Sequence, residues 1–124
     1  MTELEVKQLC DQVRQVAYDI HVYLGPGHLE KVYENALAHR LRKLGLDVAQ
    51  QHPLSVVDED GTILGDYFAD LLINRVLIVE LKVARVIASE HEAQVLAYLR
   101  GAQLHHALLI NFGSPKFEIR KFAL

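Results

Sequence analysis

The sequence predicts an α/β fold in which a central mixed β-sheet is flanked by α-helices, with the elements in the order ααβββαββ. Two observations lead to this fold class. Apolar residues recur every three or four positions over the first 45 residues, as on two amphipathic helices, and the period then shifts to the two-residue alternation of strands. A third helical stretch separates the first strands from the last ones, which is typical of layered α/β domains.

Length and composition indicate a globular chain. Its 124 residues are 51% hydrophobic and 23% charged, which is enough apolar material for one domain spanning residues 1–124. The net charge of −3 argues against nonspecific coating of nucleic acid, so a polyanion would have to meet a local basic patch. The single cysteine, Cys10, excludes an internal disulfide. No apolar run is long enough to span a membrane, and we expect a cytoplasmic protein with no membrane partner.

The first two helices are separated by a Gly-Pro-Gly break. The first apolar stripe runs to Leu24, and residues 25–27 stop it. A second stripe begins at Leu29 and continues to Leu44, and Gly45 is placed as its C-terminal cap. We therefore expect two consecutive helices joined by a short turn.

The third helix is predicted from a capping pattern. Ser89 is the expected N-cap and Glu92 the residue that reaches back to it. The helix is expected to run through Gln94 and Tyr98 to Gly101. It should lie between the first three strands and the last two.

Five strands are predicted from alternating or continuous apolar runs bounded by turn residues. The sequence DEDG at 58–61 is the turn between the first two, and the Asn-Arg pair at 74–75 marks a short turn between the second and third. The predicted strands are 46–57, 62–73, 76–83, 106–112 and 116–122.

The third strand, VLIVELKVA, carries two charges inside an apolar run. Side chains alternate along a strand, so Glu80 and Lys82 share one face. A strict two-residue turn sets Asp70 opposite Val79, whereas a three-residue loop or a bulge brings it opposite Glu80. The alternative is an edge strand whose charges face water, with Asp70 at a strand end or turn. Apolar flanks favour a central strand instead.

Two carboxylates held together in a poorly hydrated place repel each other unless a cation lies between them. Hard carboxylate oxygens suit Mg²⁺ or Mn²⁺. A lysine beside such an ion can orient a water nucleophile or stabilise the charge that develops on a phosphate. The arrangement therefore makes chemical sense for phosphodiester hydrolysis.

Asp70 followed by Glu80-Leu81-Lys82 resembles the core of the PD-(D/E)XK nucleases, although Ala69 stands where many members have proline. The stretch GPGHLEKVYENAL places Gly27, Glu30 and Tyr33 in the spacing of the GxxExxY proteins, a family assigned to that superfamily. HEAQVLAYL and LLINFG resemble later blocks of the same family. The resemblance implies a restriction-endonuclease-like fold and a metal-dependent nuclease acting on DNA or RNA.

The resemblance also implies a role for each site residue. Asp70 and Glu80 would bind the metal, the carbonyl of Leu81 would complete its protein ligands, and Lys82 would be the catalytic lysine. Glu30 would extend the metal or water site from the second helix. A simpler interpretation of Glu30 is a carboxylate at a helix start, where the dipole favours it.

Gln94 and Tyr98 resemble a Q-x-x-x-Y helix that lines the site in related nucleases, and Gln94 is a candidate catalytic residue. Tyr33 is also interpreted as a core aromatic with a hydrogen-bonded hydroxyl. A second hypothesis is that the site is inactive and the fold is a binding module, which works through protein partners or as a homodimer. This alternative is supported by the small number of clustered basic residues, which would allow few phosphate contacts.

Overall fold

The computed structural model describes all 124 residues, and its elements follow the predicted order ααβββαββ. The helices are α1 (Glu3–Leu24), α2 (Glu30–Lys43) and α3 (Ser89–Ala102). The strands are β1 (Val48–Val57), β2 (Ile63–Ile73), β3 (Leu77–Lys82), β4 (His106–Asn111) and β5 (Glu118–Ala123). None of the three helices could span a membrane.

The five strands form one mixed sheet in the order β1-β2-β3-β4-β5. β3 and β4 are parallel and the other neighbouring pairs are antiparallel. Parallel neighbours need a crossover connection, and α3 provides it. β3 is therefore the central strand and not an edge strand, and its residues from Leu77 to Leu81 are buried.

Helices cover both faces of the sheet, which explains the near-continuous apolar sequence of β3. On one face, α1 and α2 pack on the larger apolar cluster, which includes Leu71, Val79 and Leu81. On the other face, α3 packs on a smaller cluster that includes Ala69 and Ile78. The expected α/β layers with a central mixed sheet are confirmed, consistent with a restriction-endonuclease-like fold.

The predicted helix boundaries are close to the observed ones, with one correction. Gly25 (φ 67°) is the C-cap of α1, and Gly45 (φ 84°) directly follows Leu44, the C-cap of α2, so a glycine supplies a positive φ after each helix. The predicted capping pair of α3 is wrong. Its N-cap is Ala88, whose N–H donates to Nδ1 of His91 at 3.1 Å, so the imidazole takes the place assigned to Glu92.

Of the two turn lengths considered between β2 and β3, the structure shows the three-residue loop and not the strict two-residue turn. Ile73 pairs with Leu77, so the loop has three residues, and Asn74 and Arg75 have φ values of 51° and 60°. Val76 belongs to the loop although its apolar side chain made it look like strand. This register, extended beyond the last pair at Leu71 and Val79, sets Asp70 opposite Glu80.

In β2, the alternation of side chains between the two faces of the sheet is interrupted next to Asp70. Ala69 packs in the cluster under α3, whereas Leu71 packs in the cluster under α1 and α2. Regular alternation would put both side chains on one face. Directly opposite, Gln51 has φ 50° and forms no ladder pair with Asp70. The regular alternation and pairing of β1 and β2 are therefore interrupted at Gln51 and Asp70.

The carboxyl end of β3 is fixed by the last residue of β4 and the loop that follows it. The Phe112 N–H donates to the Lys82 carbonyl at 2.9 Å. The fully buried Asn111 side chain accepts from the Ala84 N–H at 3.0 Å and donates to the Ala84 carbonyl at 2.9 Å. Gly113 lies so close that an added Cβ would come within 2.5 Å of the Ala84 nitrogen. These contacts hold the backbone beyond Lys82 in one position.

Candidate functional site

Asp70 and Glu80 meet where β2 and β3 separate. The Asp70 N–H donates to Oε1 of Glu80 at 3.2 Å, and the Leu81 N–H donates to Oδ2 of Asp70 at 2.8 Å. Side-chain to main-chain bonds thus replace the ladder at this pair, and each carboxylate is tied to the strand of the other. The structure brings the two acids together, as the three-residue loop requires.

The main chain of Leu81 also faces this pair of acids. The N–H and C=O groups of one strand residue point to the same neighbouring strand. Because the Leu81 N–H is bonded to Asp70, the Leu81 carbonyl is directed to the Asp70 side and away from β4. The Leu81 side chain is fully buried in the cluster under α1 and α2.

Glu80 is the most strongly perturbed acid in the site. Its side chain is only 4% exposed. Burial, followed by the negative charge of Asp70, raises the pKa of Glu80 from 4.5 to about 8, although Lys82 opposes the shift. No salt bridge to a cationic side chain compensates this carboxylate within the chain. The raised pKa favours the protonated form of Glu80 at neutral pH when no cation is bound.

Lys82 lies at the end of β3 beside the first turns of α3. Its Nζ donates to Oε1 of Gln94 at 3.4 Å, a long hydrogen bond at the surface. Tyr98 lies one turn further along α3 and is nearly buried. Burial and the charges of Glu80 and Asp70 raise the pKa of Tyr98. The predicted lysine, glutamine and tyrosine are thus grouped around the two acids.

Glu30 is the first residue of α2 and lies at the margin of the site. Neighbouring protein removes part of the water from its carboxylate, and this partial desolvation, followed by the charge of Asp70, raises the pKa of Glu30. The charge of Lys82 acts in the opposite direction. No group of three or more His, Cys, Asp or Glu side chains is close enough together to hold a metal ion. Glu30 therefore faces the acid pair without joining it.

Tyr33 of the GxxExxY pattern has a structural position. Its ring is fully buried and stacks on Phe112 with 4.6 Å between ring centroids. Its hydroxyl donates to the Gly25 carbonyl and accepts from the His28 N–H at 3.1 Å. The interpretation as a core aromatic with a bonded hydroxyl is confirmed. Because Phe112 is bonded to Lys82 through the main chain, Tyr33 links the glycine turn to the end of β3.

Two residues next to the acid pair were missed by sequence reasoning. Glu34 is only 3% exposed. Burial alone would raise its pKa, but hydrogen bonds from Lys31, Gln50 and Gln51 lower it. The Gln51 amide donates both to Oε1 of Glu34 at 2.7 Å and to Oδ1 of Asp70 at 3.1 Å. The spacing of four residues from Glu30 to Glu34 was a signal, since it places both acids on one helix face.

The oxygen atoms available as metal ligands at the acid pair fit a hard divalent cation. They comprise two carboxylates and a main-chain carbonyl, all of them oxygen ligands. Glu80 is buried beside a second carboxylate, and a cation there would favour the ionised forms that burial and repulsion oppose. Asp70, Glu80 and the Leu81 carbonyl are the groups that would hold it, with Glu30 at the margin.

The raised pKa of Glu80 predicts a pH-dependent loss of stability in chelator. Between about pH 5 and pH 8, folded protein keeps the Glu80 proton while unfolded chain loses it, so the free energy of unfolding falls as pH rises. Glu80→Gln removes this dependence. We expect the melting temperature of Glu80→Gln, relative to wild type, to increase steadily from pH 5 to pH 8. Glu59→Gln, in the exposed β1–β2 turn, is the control, and a difference that does not change with pH would contradict the prediction.

Comparison with known families adds an independent finding. The family model described as the PD-(D/E)XK nuclease superfamily matches residues 7–122, nearly the whole chain. No curated protein and no solved structure matches the chain significantly. The finer GxxExxY assignment stays a prediction.

Proposed function

The chain belongs to the PD-(D/E)XK nuclease superfamily, and we propose that it is a metal-dependent nuclease that hydrolyses phosphodiester bonds in DNA or RNA. The observation that carries this proposal is the pairing of Asp70 with the buried Glu80 where β2 and β3 separate, next to Lys82. We further propose that it is a GxxExxY protein of one domain, located in the cytoplasm.

Asp70, Glu80 and the Leu81 carbonyl are proposed to hold Mg²⁺ or Mn²⁺. Such an ion would neutralise charge on the phosphate and lower the pKa of a nearby water molecule. The carboxyl group of Glu80 must lose its proton to bind the ion, and its raised pKa makes that step depend on pH. Glu30 is proposed to extend the site and accept a proton from the attacking water, since its pKa is also raised.

Lys82 is proposed as the catalytic lysine. Its ammonium group supplies a fixed positive charge on the strand that carries Glu80, where negative charge develops on the phosphate. Gln94 accepts the long bond from Lys82 and is proposed to orient this ammonium group and line the substrate path. The contacts of Asn111 and Gly113 with Ala84 restrict the backbone beyond Lys82, which fixes where the lysine side chain begins relative to Glu80.

The test is cleavage of single-stranded and duplex DNA and RNA by the purified protein with Mg²⁺, Mn²⁺ or chelator. We expect cleavage with a metal, no cleavage in chelator, and none by Asp70→Asn. Asp66→Asn is the matched control, because Asp66 lies on the same strand but accepts a bond from the Ser55 hydroxyl outside the site. Cleavage that persists in Asp70→Asn would come from a contaminant and would remove the support for the proposal.

The second candidate is an inactive site in a binding module that works as a homodimer. Residues 63–69 of β2 pair with β1 on one side and have no strand on the other. The exposed fractions of Ile63, Leu64 and Phe68 there are 65%, 63% and 56%. A second copy offers the same free edge, so two copies can pair antiparallel about a twofold axis. A dimer mass in light scattering without cleavage under any metal condition would favour this candidate.

A further inference from the structure

We propose that Gln51 is a positioning residue for the site, because its side-chain amide connects the buried Glu34 to Asp70 and fixes the direction of the Asp70 carboxylate. The inference rests on the proposed function, since it concerns how Asp70 is presented to a divalent cation. It assigns a role to Gln51 and Glu34, which the motif does not include.

The two bonds made by Gln51 define the orientation of its amide. Its Nε2 donates to Oε1 of Glu34 at 2.7 Å and to Oδ1 of Asp70 at 3.1 Å. Ionised carboxylates only accept hydrogen bonds, so the NH₂ group and not the carbonyl must face both of them. Its two hydrogens serve one acid each. The amide therefore separates two carboxylates that would otherwise repel.

Glu34 is the fixed end of this connection. Its carboxylate is buried, and it accepts from Lys31 at 2.8 Å and from Gln50 at 2.7 Å in addition to Gln51. With three donors, a carboxylate is held ionised and in one orientation. Glu34 therefore holds the Gln51 amide in place through one of its two hydrogens, and the other hydrogen is directed to Asp70.

The backbone of Gln51 places the amide there. Its φ of 50° is uncommon for a residue other than glycine, and it coincides with the reversal of side-chain direction at Asp70 in the opposite strand. The Oδ1 atom of Asp70 is held by Gln51 and its Oδ2 atom by the Leu81 N–H. Each oxygen has two lone pairs, so one bond to each fixes the carboxylate plane and leaves lone pairs for a cation.

Gln50 provides a matched control next to Gln51. It is also a glutamine that donates to Glu34, and its second donor bond goes to Oδ1 of Asn35 at 2.8 Å. Gln50 makes no hydrogen bond to Asp70. Replacing either glutamine with leucine removes one donor from Glu34, but only Gln51→Leu also removes a donor from Asp70.

The experiment measures Mn²⁺ affinity by calorimetry for wild type, Gln51→Leu and Gln50→Leu at fixed pH, with the Mn²⁺ concentration for half-maximal cleavage as a second readout. Loss of a residue that orients a metal ligand weakens affinity about 10- to 100-fold. We expect this loss in Gln51→Leu and near wild-type affinity in Gln50→Leu. Thermal melts in chelator test whether both variants fold, and Gln51→Met replaces Gln51→Leu if the latter does not fold.

The outcomes separate this inference from the proposed function. Equal affinities for Gln51→Leu and Gln50→Leu, with wild type binding Mn²⁺, would overturn the positioning role and leave the nuclease proposal intact. Absence of Mn²⁺ binding by wild type would contradict both the positioning role and the nuclease proposal. A selective loss in Gln51→Leu would support the connection from Glu34 through Gln51 to Asp70.

Discussion

Replacing Lys82 with methionine is expected to lower the rate of phosphodiester cleavage about 10²- to 10³-fold, which is the typical loss when one transition-state donor is removed. The same variant is expected to bind Mn²⁺ as well as wild type does, or slightly better. The acids and the Leu81 carbonyl are the proposed ligands, and Lys82 adds a positive charge that opposes a cation at the same place. Single-turnover cleavage and Mn²⁺ calorimetry measure the two effects separately.

Methionine keeps most of the length and apolar stem of lysine, so the variant removes the charge with little loss of packing. Lys7→Met is the control, since Lys7 forms an exposed ion pair with Asp11 on α1. A binding module gives a different result, because Lys82→Met then has no activity to remove. Equal cleavage by wild type and Lys82→Met would show that the lysine has no part in the reaction.

The strand carrying the motif could be predicted because its information is local. The apolar flanks of Glu80 and Lys82 predict burial on both faces, and β3 is the central strand. Alternation then places both side chains on the face covered by α3, where Gln94 lies. The helices α1 and α2 were predictable for the same reason, since their apolar stripes and the glycines after them are properties of neighbouring residues.

The sequence left the register of the hairpin open between a two-residue turn and a three-residue loop, and it did not predict the connection to Glu34. Val76 is apolar and was counted as strand, but the left-handed backbone of Asn74 and Arg75 makes a three-residue loop. Arginine has no strong preference for this conformation, so Arg75 does not indicate a longer loop. Gln51 is similar. Its left-handed backbone and its bonds across 17 and 19 residues depend on tertiary packing.

The two acids of the site differ in their burial and in the hydrogen bonds that they accept. Asp70 receives N–H donors on both oxygens, from Gln51 and Leu81. Glu80 is more buried, and its one main-chain donor is the Asp70 N–H at 3.2 Å. A cation would therefore compensate Glu80 more than Asp70. It follows that metal binding and protonation of Glu80 compete for the same oxygens.

Saturating Mn²⁺ is expected to raise the melting temperature of wild type by about 10 °C at pH 8. An ion that binds folded protein alone, at about 100 times its dissociation constant, stabilises it by about 2.7 kcal/mol. In a domain of this size, 1 kcal/mol corresponds to roughly 4 °C. The increase should shrink as the pH is lowered from 8 to 6, because the Glu80 proton then competes with the ion. Melts monitored by circular dichroism measure both effects.

Asp70→Asn should abolish the increase. Its melting temperature in chelator reflects two opposing effects, since the amide NH₂ group cannot accept one of the two bonds that Gln51 and Leu81 donate to the Asp70 oxygens. The amide keeps the shape of Asp70 but removes the charge that, after burial, contributes most to raising the pKa of Glu80. Asp66→Asn, outside the site on the same strand, should keep the full Mn²⁺ response. A metal site elsewhere would give a response that Asp70→Asn retains. A response of wild type that is the same at pH 6 and pH 8 would mean that the ion does not displace the Glu80 proton, and the proposed ligand set would then be wrong.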